Sequence, residues 1–465
     1  MVVSQASDTI MLFVDRLFLS RLGEAYLAAS MSGGLTQFMV SSLFIGTVGY
    51  TSAIVAQYFG ADRREKCGEA TFQAIILSFL CYPLLLGVSP LMRHLFSFVG
   101  QSPEQVQLGY IYFQTLIFGS IFLVLRFALA GFFLGIGRTT VVMVANIAGM
   151  IVNIPVNYLL IFGKLGFPAM GLRGAAIGTI LGNATIFAIL LVFYLRGRNR
   201  EDFQTHRSLV FRPAIFKTLV KFGLPAGFEM FLNVSAFNLF VQFMHSYGTK
   251  VAAAVTIAFN WDIVSFIPML GMGHAITALV GQNVGAKDYP EARRSAYTGL
   301  KVAWVYSGSM VLLFLLGAGP LVDVFVSGVR VDAEGVRSLA IVMLRLAAVY
   351  LLADSAQLVF AGALRGAGDT KWVMRMSVLL HWVFSGIAVW LIRVVRVDPV
   401  LVWVAFISFI IVLGITMFLR FRGTKWTTID VIDRDGEERE YHCVTGACPE
   451  VFAEEPAEHE ETSGS

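Results

Sequence analysis

The sequence predicts an all-α membrane protein of about twelve transmembrane helices, arranged as two parallel six-helix lobes around a central cleft. Composition, the length of the apolar runs and an internal repeat predict it. Of 465 residues, 57% are hydrophobic and 14% charged, with a mean hydropathy of +0.72. Soluble proteins carry about a quarter of their residues as Asp, Glu, Lys or Arg, so this chain lacks the polar shell a water-soluble fold of its length needs. Apolar stretches at 73–87, 185–195, 305–319 and 400–419, with their small neighbours, reach the roughly 20 residues that cross about 30 Å of hydrocarbon as helix. They are too long for transmembrane strands and lack a barrel's alternation.

Taken in order, spans are expected near 2–20, 30–57, 68–89, 107–134, 140–163 and 175–195, then near 222–246, 252–280, 295–318, 338–363, 373–394 and 400–420. This divides the chain into an N-terminal lobe (1–195), a cytoplasmic linker (196–221), a C-terminal lobe (222–426) and a tail (427–465). The tail holds twelve acidic residues against Arg434 and Arg439 and buries too little apolar surface to fold alone, so it is expected to be disordered. Its Cys443, Cys448 and His442 lack the further ligands of a metal centre. Twenty Lys and Arg residues fall in loops after even-numbered spans and at the start of the tail, against nine in the opposite loops. Basic loops stay in the cytoplasm, so both termini are expected inside. These loops are read as topology signals, with no nucleic-acid partner.

The halves repeat. At an offset of 225, VAQYFGA (55–61) falls on VGQNVGA (280–286), and Gly23, Ala28, Ala29 and Gly46 fall on Gly248, Ala253, Ala254 and Gly271. At an offset of 231, AGFFLGIGRTTVVM (130–143) falls on AGALRGAGDTKWVM (361–374). Six spans per half is an even number, so the halves share an orientation and are related by an axis along the membrane normal, an arrangement suited to alternating access. Gly60 and Gly285 are expected to close their helices by taking positive φ. Gly135, Gly137, Gly366 and Gly368 are expected to form turns or hinges. KFGLPAGFE (221–229) leads into span seven, whereas its first-half counterpart would precede Met1. The first span is therefore expected to be short, or the start to be internal to a longer product.

FVDRLFLSRLG (13–23), VAQYFGADRREKCGEA (55–70), NIPVNYLLIFGKLGFPAMGLRGAAIGT (153–179), FIPMLGMGHAITALVGQNVGA (266–286) and GALRGAGDTKWV (362–373), in this order, resemble the multidrug and toxic compound extrusion (MATE) family. The resemblance covers nearly all of 1–425. It implies a multi-pass antiporter of a bacterial inner membrane that expels small organic, often cationic, compounds in exchange for Na⁺ or H⁺. Its partners would be those compounds and the lipid bilayer. It would need no cofactor beyond the coupling ion and would act as a monomer.

Charge in hydrocarbon is costly and commonly faces a cavity. Asp8, Asp15, Arg16, Arg126, Glu229, Asp262, Arg345, Asp354 and His381 are such charges here. Asp15 matches the family's first-helix acid. Asn153 and Asn157 are four apart on one helical face, and Pro155 between them frees a backbone carbonyl. With Thr179, they resemble the polar partners of a first-lobe cation site, which also makes them the candidate ligands of any bound Na⁺. Helix packing is the alternative role for the amides and the threonine. Asp354 matches a tenth-helix acid. The family's seventh-helix acid falls at Asn233, with Glu229 one turn earlier, so Glu229, Asn233 and Asp262 are the candidates for a substrate or second-lobe cation site. Arg126 and Arg345 are expected as salt-bridge partners of these acids, and His381 as a packing donor. A lipid-linked saccharide flippase of the same superfamily is the nearest rival reading. An intramembrane enzyme would need a clustered catalytic constellation, and a receptor would have little use for a duplicated bundle.

Overall fold

The computed structural model describes residues 2–98, 103–326 and 333–432; the tail from 433 onward lies outside them. Among the described residues every regular element is helical, and twelve helices follow the expected spans. The first six are α1 (Val2–Ser20), α2 (Glu24–Gly49, continued by Thr51–Gly60), α3 (Arg64–Phe98), α4 (Pro103–Phe118, continued by Ser120–Gly135), α5 (Thr139–Phe162) and α6 (Leu172–Leu195). The second six are α7 (Pro213–His245), α8 (Thr249–Gly285), α9 (Tyr289–Leu316), α10 (Ala333–Gly366), α11 (Thr370–Trp390, with a wider turn at Leu391–Val395) and α12 (Pro399–Arg422). Ten helices are long and apolar enough to cross a membrane, counting α2 from Ala29, and α4, bent by 48° near Gly119, makes an eleventh. Helix α1, which carries Asp8, Asp15 and Arg16, completes the twelve.

Local chemistry sets several boundaries. Prolines open α7 and α12, where a missing N–H costs nothing. The Asp288 and Asp398 side chains accept from the Glu291 and Val400 amides at the starts of α9 and α12, as N-caps do. Many helices run beyond the expected spans. Helix α7 starts inside the expected linker, which also holds a short helix at Arg198–Asp202. Apolarity marks the part of a helix inside hydrocarbon, and Lys217 and Lys221 lie on turns beyond it.

Within each lobe the tightest seams are built on glycine. A Cβ on Gly174 would stand 2.6 Å from Leu160 O, and one on Gly149 3.0 Å from Gly182 O, so α5 and α6 meet nearly backbone to backbone. The α8–α10 seam uses Gly273 and Gly362, and Thr277 Oγ1 lies 3.0 Å from Gly362 O. Small residues and hydroxyls serve such seams because lipid supplies no hydrophobic drive between helices. The backbone reproduces the repeat. Positive φ recurs at Gly23 and Gly248, at Asp62 and Lys287, and at Gly137 and Gly368. The expectation that Gly60 and Gly285 close their helices by positive φ is thereby corrected: both remain helical, and the left-handed step falls two residues later.

Candidate functional site

The lobes meet through α1 and α2 on one side and α7 and α8 on the other. The seam closes at the end that carries the turns near 62, 137, 287 and 368. Gln57 Nε2 donates to Gly366 O at 2.7 Å, and Gln282 Nε2 donates to Gly135 O at 2.7 Å. Gln57 and Gln282 are repeat equivalents, as are Gly135 and Gly366, so one contact is made twice about the pseudo-axis. Gly60 and Gly285 allow it. A Cβ on the first would stand 1.8 Å from Gln282 O, and one on the second 2.1 Å from Gln57 O. The Tyr50 hydroxyl adds a bond to Arg365 O at 3.1 Å.

The same helical faces open toward the other end. Positions 31, 35, 38, 42, 49, 53, 56 and 60 form one stripe of α2, and 256, 260, 263, 267, 274, 278, 281 and 285 the equivalent stripe of α8. Ala53, Ala56 and Gly281 pack together in the sealed half. Met31, Leu35 and Phe38, and across from them Thr256, Ile263 and His274, are exposed. The lobes thus bound a cleft that is closed at the glutamine end and largely apolar on these two walls.

Four of the expected residues lie together in the first lobe. Asp15, 3% exposed, projects from α1 toward α5 and α6. Asn157 Nδ2 donates to one carboxylate oxygen, and Thr179 Oγ1 lies 3.1 Å from the other. The neighbouring Arg16, about 100° further round the helix, points outward and makes no pair with Asp15. Gly178 leaves room for the Asn157 carboxamide, whose oxygen would meet a Cβ there at 1.6 Å. Asn153 lies one turn along α5 and is fully buried, with neither polar atom hydrogen-bonded among the described residues. The carbonyl freed by Pro155 is that of Ile151, whose exposed side chain marks the opposite face of α5. One residue of the group was not anticipated. Asn183, four after Thr179, donates to Thr179 O at 2.9 Å, and its oxygen is buried without a partner. The i, i+4 spacing in an otherwise apolar span was the available signal.

The expected second-lobe grouping is corrected. Glu229, 2% exposed, is held by Arg365 through two hydrogen bonds of 2.7 and 3.2 Å. Asn233 donates to Ser377 Oγ on α11 at 2.8 Å. Neither residue bonds to Asp262 among the described residues, since Glu229 is committed to Arg365 on α10 and Asn233 to Ser377 on α11. Asp262 instead accepts from the Tyr350 hydroxyl at 2.6 Å, and Asp354 follows Tyr350 by one turn on the same face of α10. Arg126 pairs with Asp8, with both bonds at 3.2 Å, rather than with Asp15. Arg345 makes no ion pair among the described residues. His381 Nδ1 lies 2.7 Å from Ser377 O and its ring packs edge-on against Phe409, as a packing donor would.

The MatE family model matches residues 1–159 and 225–388. The chain belongs to the MATE family. It is a transporter and not an enzyme. It is 28% identical over 433 residues to the probable multidrug resistance protein NorM of Mannheimia succiniciproducens, covering 90% of each chain. It is 30% identical over 387 residues to the multidrug resistance protein PmpM of Pseudomonas aeruginosa, covering 82% of this chain and 79% of that one. Among solved structures it shares its fold with a MOP superfamily transporter from Pyrococcus furiosus (TM-score 0.82, 22% identity, 91% of this chain and 93% of that one). A multidrug resistance MATE family transporter described in an outward-facing conformation gives a TM-score of 0.82 at 21% identity, with the same coverage.

Proposed function

We propose that this MATE transporter exports organic compounds, cationic ones among them, in exchange for Na⁺ or H⁺ by alternating access of its two lobes. The single observation that carries the coupling is Asp15. It is an acid buried in the membrane interior, bonded to a neutral amide and a hydroxyl and to no basic side chain. A carboxylate there is costly, and a cation that arrives to neutralise it supplies the differential affinity that ties ion occupancy to conformation. The Asp262–Tyr350–Asp354 group provides a second acidic centre. The basic loops support a reading in which both termini and the sealed glutamine end face the cytoplasm of a bacterial inner membrane and the cleft opens outward; on this reading one chain, with both lobes and the cleft between them, works as a monomer. A flippase for phosphate-linked saccharides would want a basic cleft, and on the two facing stripes of α2 and α8 the only titratable base is His274.

The test is dye efflux from right-side-out vesicles under separately imposed Na⁺ and H⁺ gradients. Wild type should export under at least one gradient. Asp15→Asn should lose gradient-driven export while inserting normally, and full export by Asp15→Asn/Asp354→Asn would remove both acidic centres from the coupling.

A further inference from the structure

We propose that His274 and Arg365 form a carboxylate-binding subsite on the floor of the cleft, which makes zwitterions, organic cations that also carry a carboxylate, a preferred class of exported compound. The subsite rests on the reading of the cleft as the export route and adds to it a requirement on the substrate. A Cβ on Gly362 would stand 2.5 Å from Gly273 O, and one on Gly366 2.4 Å from Thr277 O, so Arg365 on α10 lies beside the turn of α8 that follows His274. Side chains lean toward the N-terminus of their helix, which for α8 and α10 alike is the end away from the glutamine seal. Both basic groups therefore rise from the seal into the cleft, His274 exposed and Arg365 30% exposed. The guanidinium is within electrostatic reach of the ring. Across the pseudo-axis the repeat equivalent of His274 is Gly49, where a Cβ would meet nothing within 4 Å. The equivalent of Arg365 is Leu134. One wall of the floor thus holds two bases, and the other leaves space for a ligand.

Both groups have donors to spare. Glu229 accepts from Nε and Nη2 of Arg365, and among the described residues nothing accepts from Nη1. Neither ring nitrogen of His274 has a hydrogen-bond partner among the described residues. An imidazole keeps at least one N–H in either protonation state. The planar guanidinium fork matches the two oxygens of a carboxylate, and hydrogen bonds between such ions are the strong ones. Glu229, 2% exposed, does not itself reach the cleft. It holds the guanidinium in place and so removes rotamer freedom that a ligand would otherwise have to freeze. The cationic part of the same ligand extends away from the seal, between the apolar walls that carry Leu35, Phe38 and Ile263.

The test is binding of two rhodamines to the purified full-length transporter, read by fluorescence polarisation. One carries a free carboxylate and the other is its methyl ester, so they share a cationic ring system and differ at that group alone. Wild type should bind the acid about fivefold more tightly than the ester, as one net charge-assisted hydrogen bond would give. His274→Leu should remove most of that preference. Arg365→Lys, which keeps a cation beside Glu229 but loses the fork, should do the same. His274→Gln keeps an N–H, should retain more of the preference than His274→Leu, and stands in should the leucine variant fail to fold. A general loosening of the cleft moves both dyes alike and leaves the ratio of affinities where it was. Equal affinity of wild type for the two dyes, or a preference that survives both His274→Leu and Arg365→Lys, overturns the subsite, while binding and export of the ester keep the cleft as the export route. Failure of wild type to bind either dye, or to export either under either gradient, sinks the subsite and the export reading together.

Discussion

The two lobes share a backbone plan and differ in how they handle their acids. In the first, Asp15 meets only neutral partners, Asn157 and Thr179. In the second, Glu229 is neutralised by Arg365, while Asp262 and Asp354 are arranged around Tyr350. The repeat stays faithful where the lobes touch, through Gln57 and Gln282, Gly60 and Gly285, and Gly135 and Gly366. Each surface there must fit its own copy, so a change on one side is felt by both lobes. Lobe interiors face no such constraint, and Arg365 stands where the first lobe has Leu134.

The largest effect expected of this asymmetry is on stability. Arg365→Leu strands the buried Glu229 charge and should cost about 3–5 kcal/mol. Glu229→Gln should cost less, since the Arg365 side chain is 30% exposed and water keeps part of its charge solvated. Thermal unfolding in detergent ranks the two, and the double variant should recover part of the loss. Equal losses would mean that the pair is not buried as described.

The symmetric part should respond symmetrically. Gly60→Ala and Gly285→Ala each force a methyl into a backbone carbonyl and should lower efflux at least tenfold while inserting normally. Gln57→Leu and Gln282→Leu each remove one cross-lobe bond of net worth about 1 kcal/mol, roughly a fivefold shift toward an opened seam. Thiol labelling of Ala278→Cys in a cysteine-free background reads that shift, and unequal responses would break the pseudo-axis. The smallest effect lies outside the spans. Arg337 donates to Asp323 at 2.6 and 3.1 Å and holds its carboxyl below the usual 3.8. The contribution of this pair is therefore complete at neutral pH and is lost only as pH falls through that lowered value. Hydrogen exchange in the short helix Ala318–Val326 should rise at acid pH in wild type and already at neutral pH in Asp323→Asn.

The bundle was legible in the sequence because apolar length and a parallel repeat report on the membrane directly. The Asp15, Asn153, Asn157 and Thr179 group was legible too, through i, i+4 spacing and family resemblance. Glu229 was misplaced because one sequence shows that an acid sits in a span but not which neighbouring helix its side chain meets. Gly60 and Gly285 were noticed for the wrong reason: glycine serves close approach as often as positive φ, and only the partner's backbone distinguishes them. Asn183 went unremarked because a lone amide in a span usually packs helices.

The central claim is that a cation at Asp15 and the exported compound oppose one another. Equilibrium binding of a fluorescent substrate to the purified protein, titrated with Na⁺ and then with acid, measures this directly. Wild type should release substrate as one of the two cations rises, and Asp15→Asn should bind substrate with an affinity indifferent to both. Cation-dependent release that persists unchanged in Asp15→Asn would contradict the account.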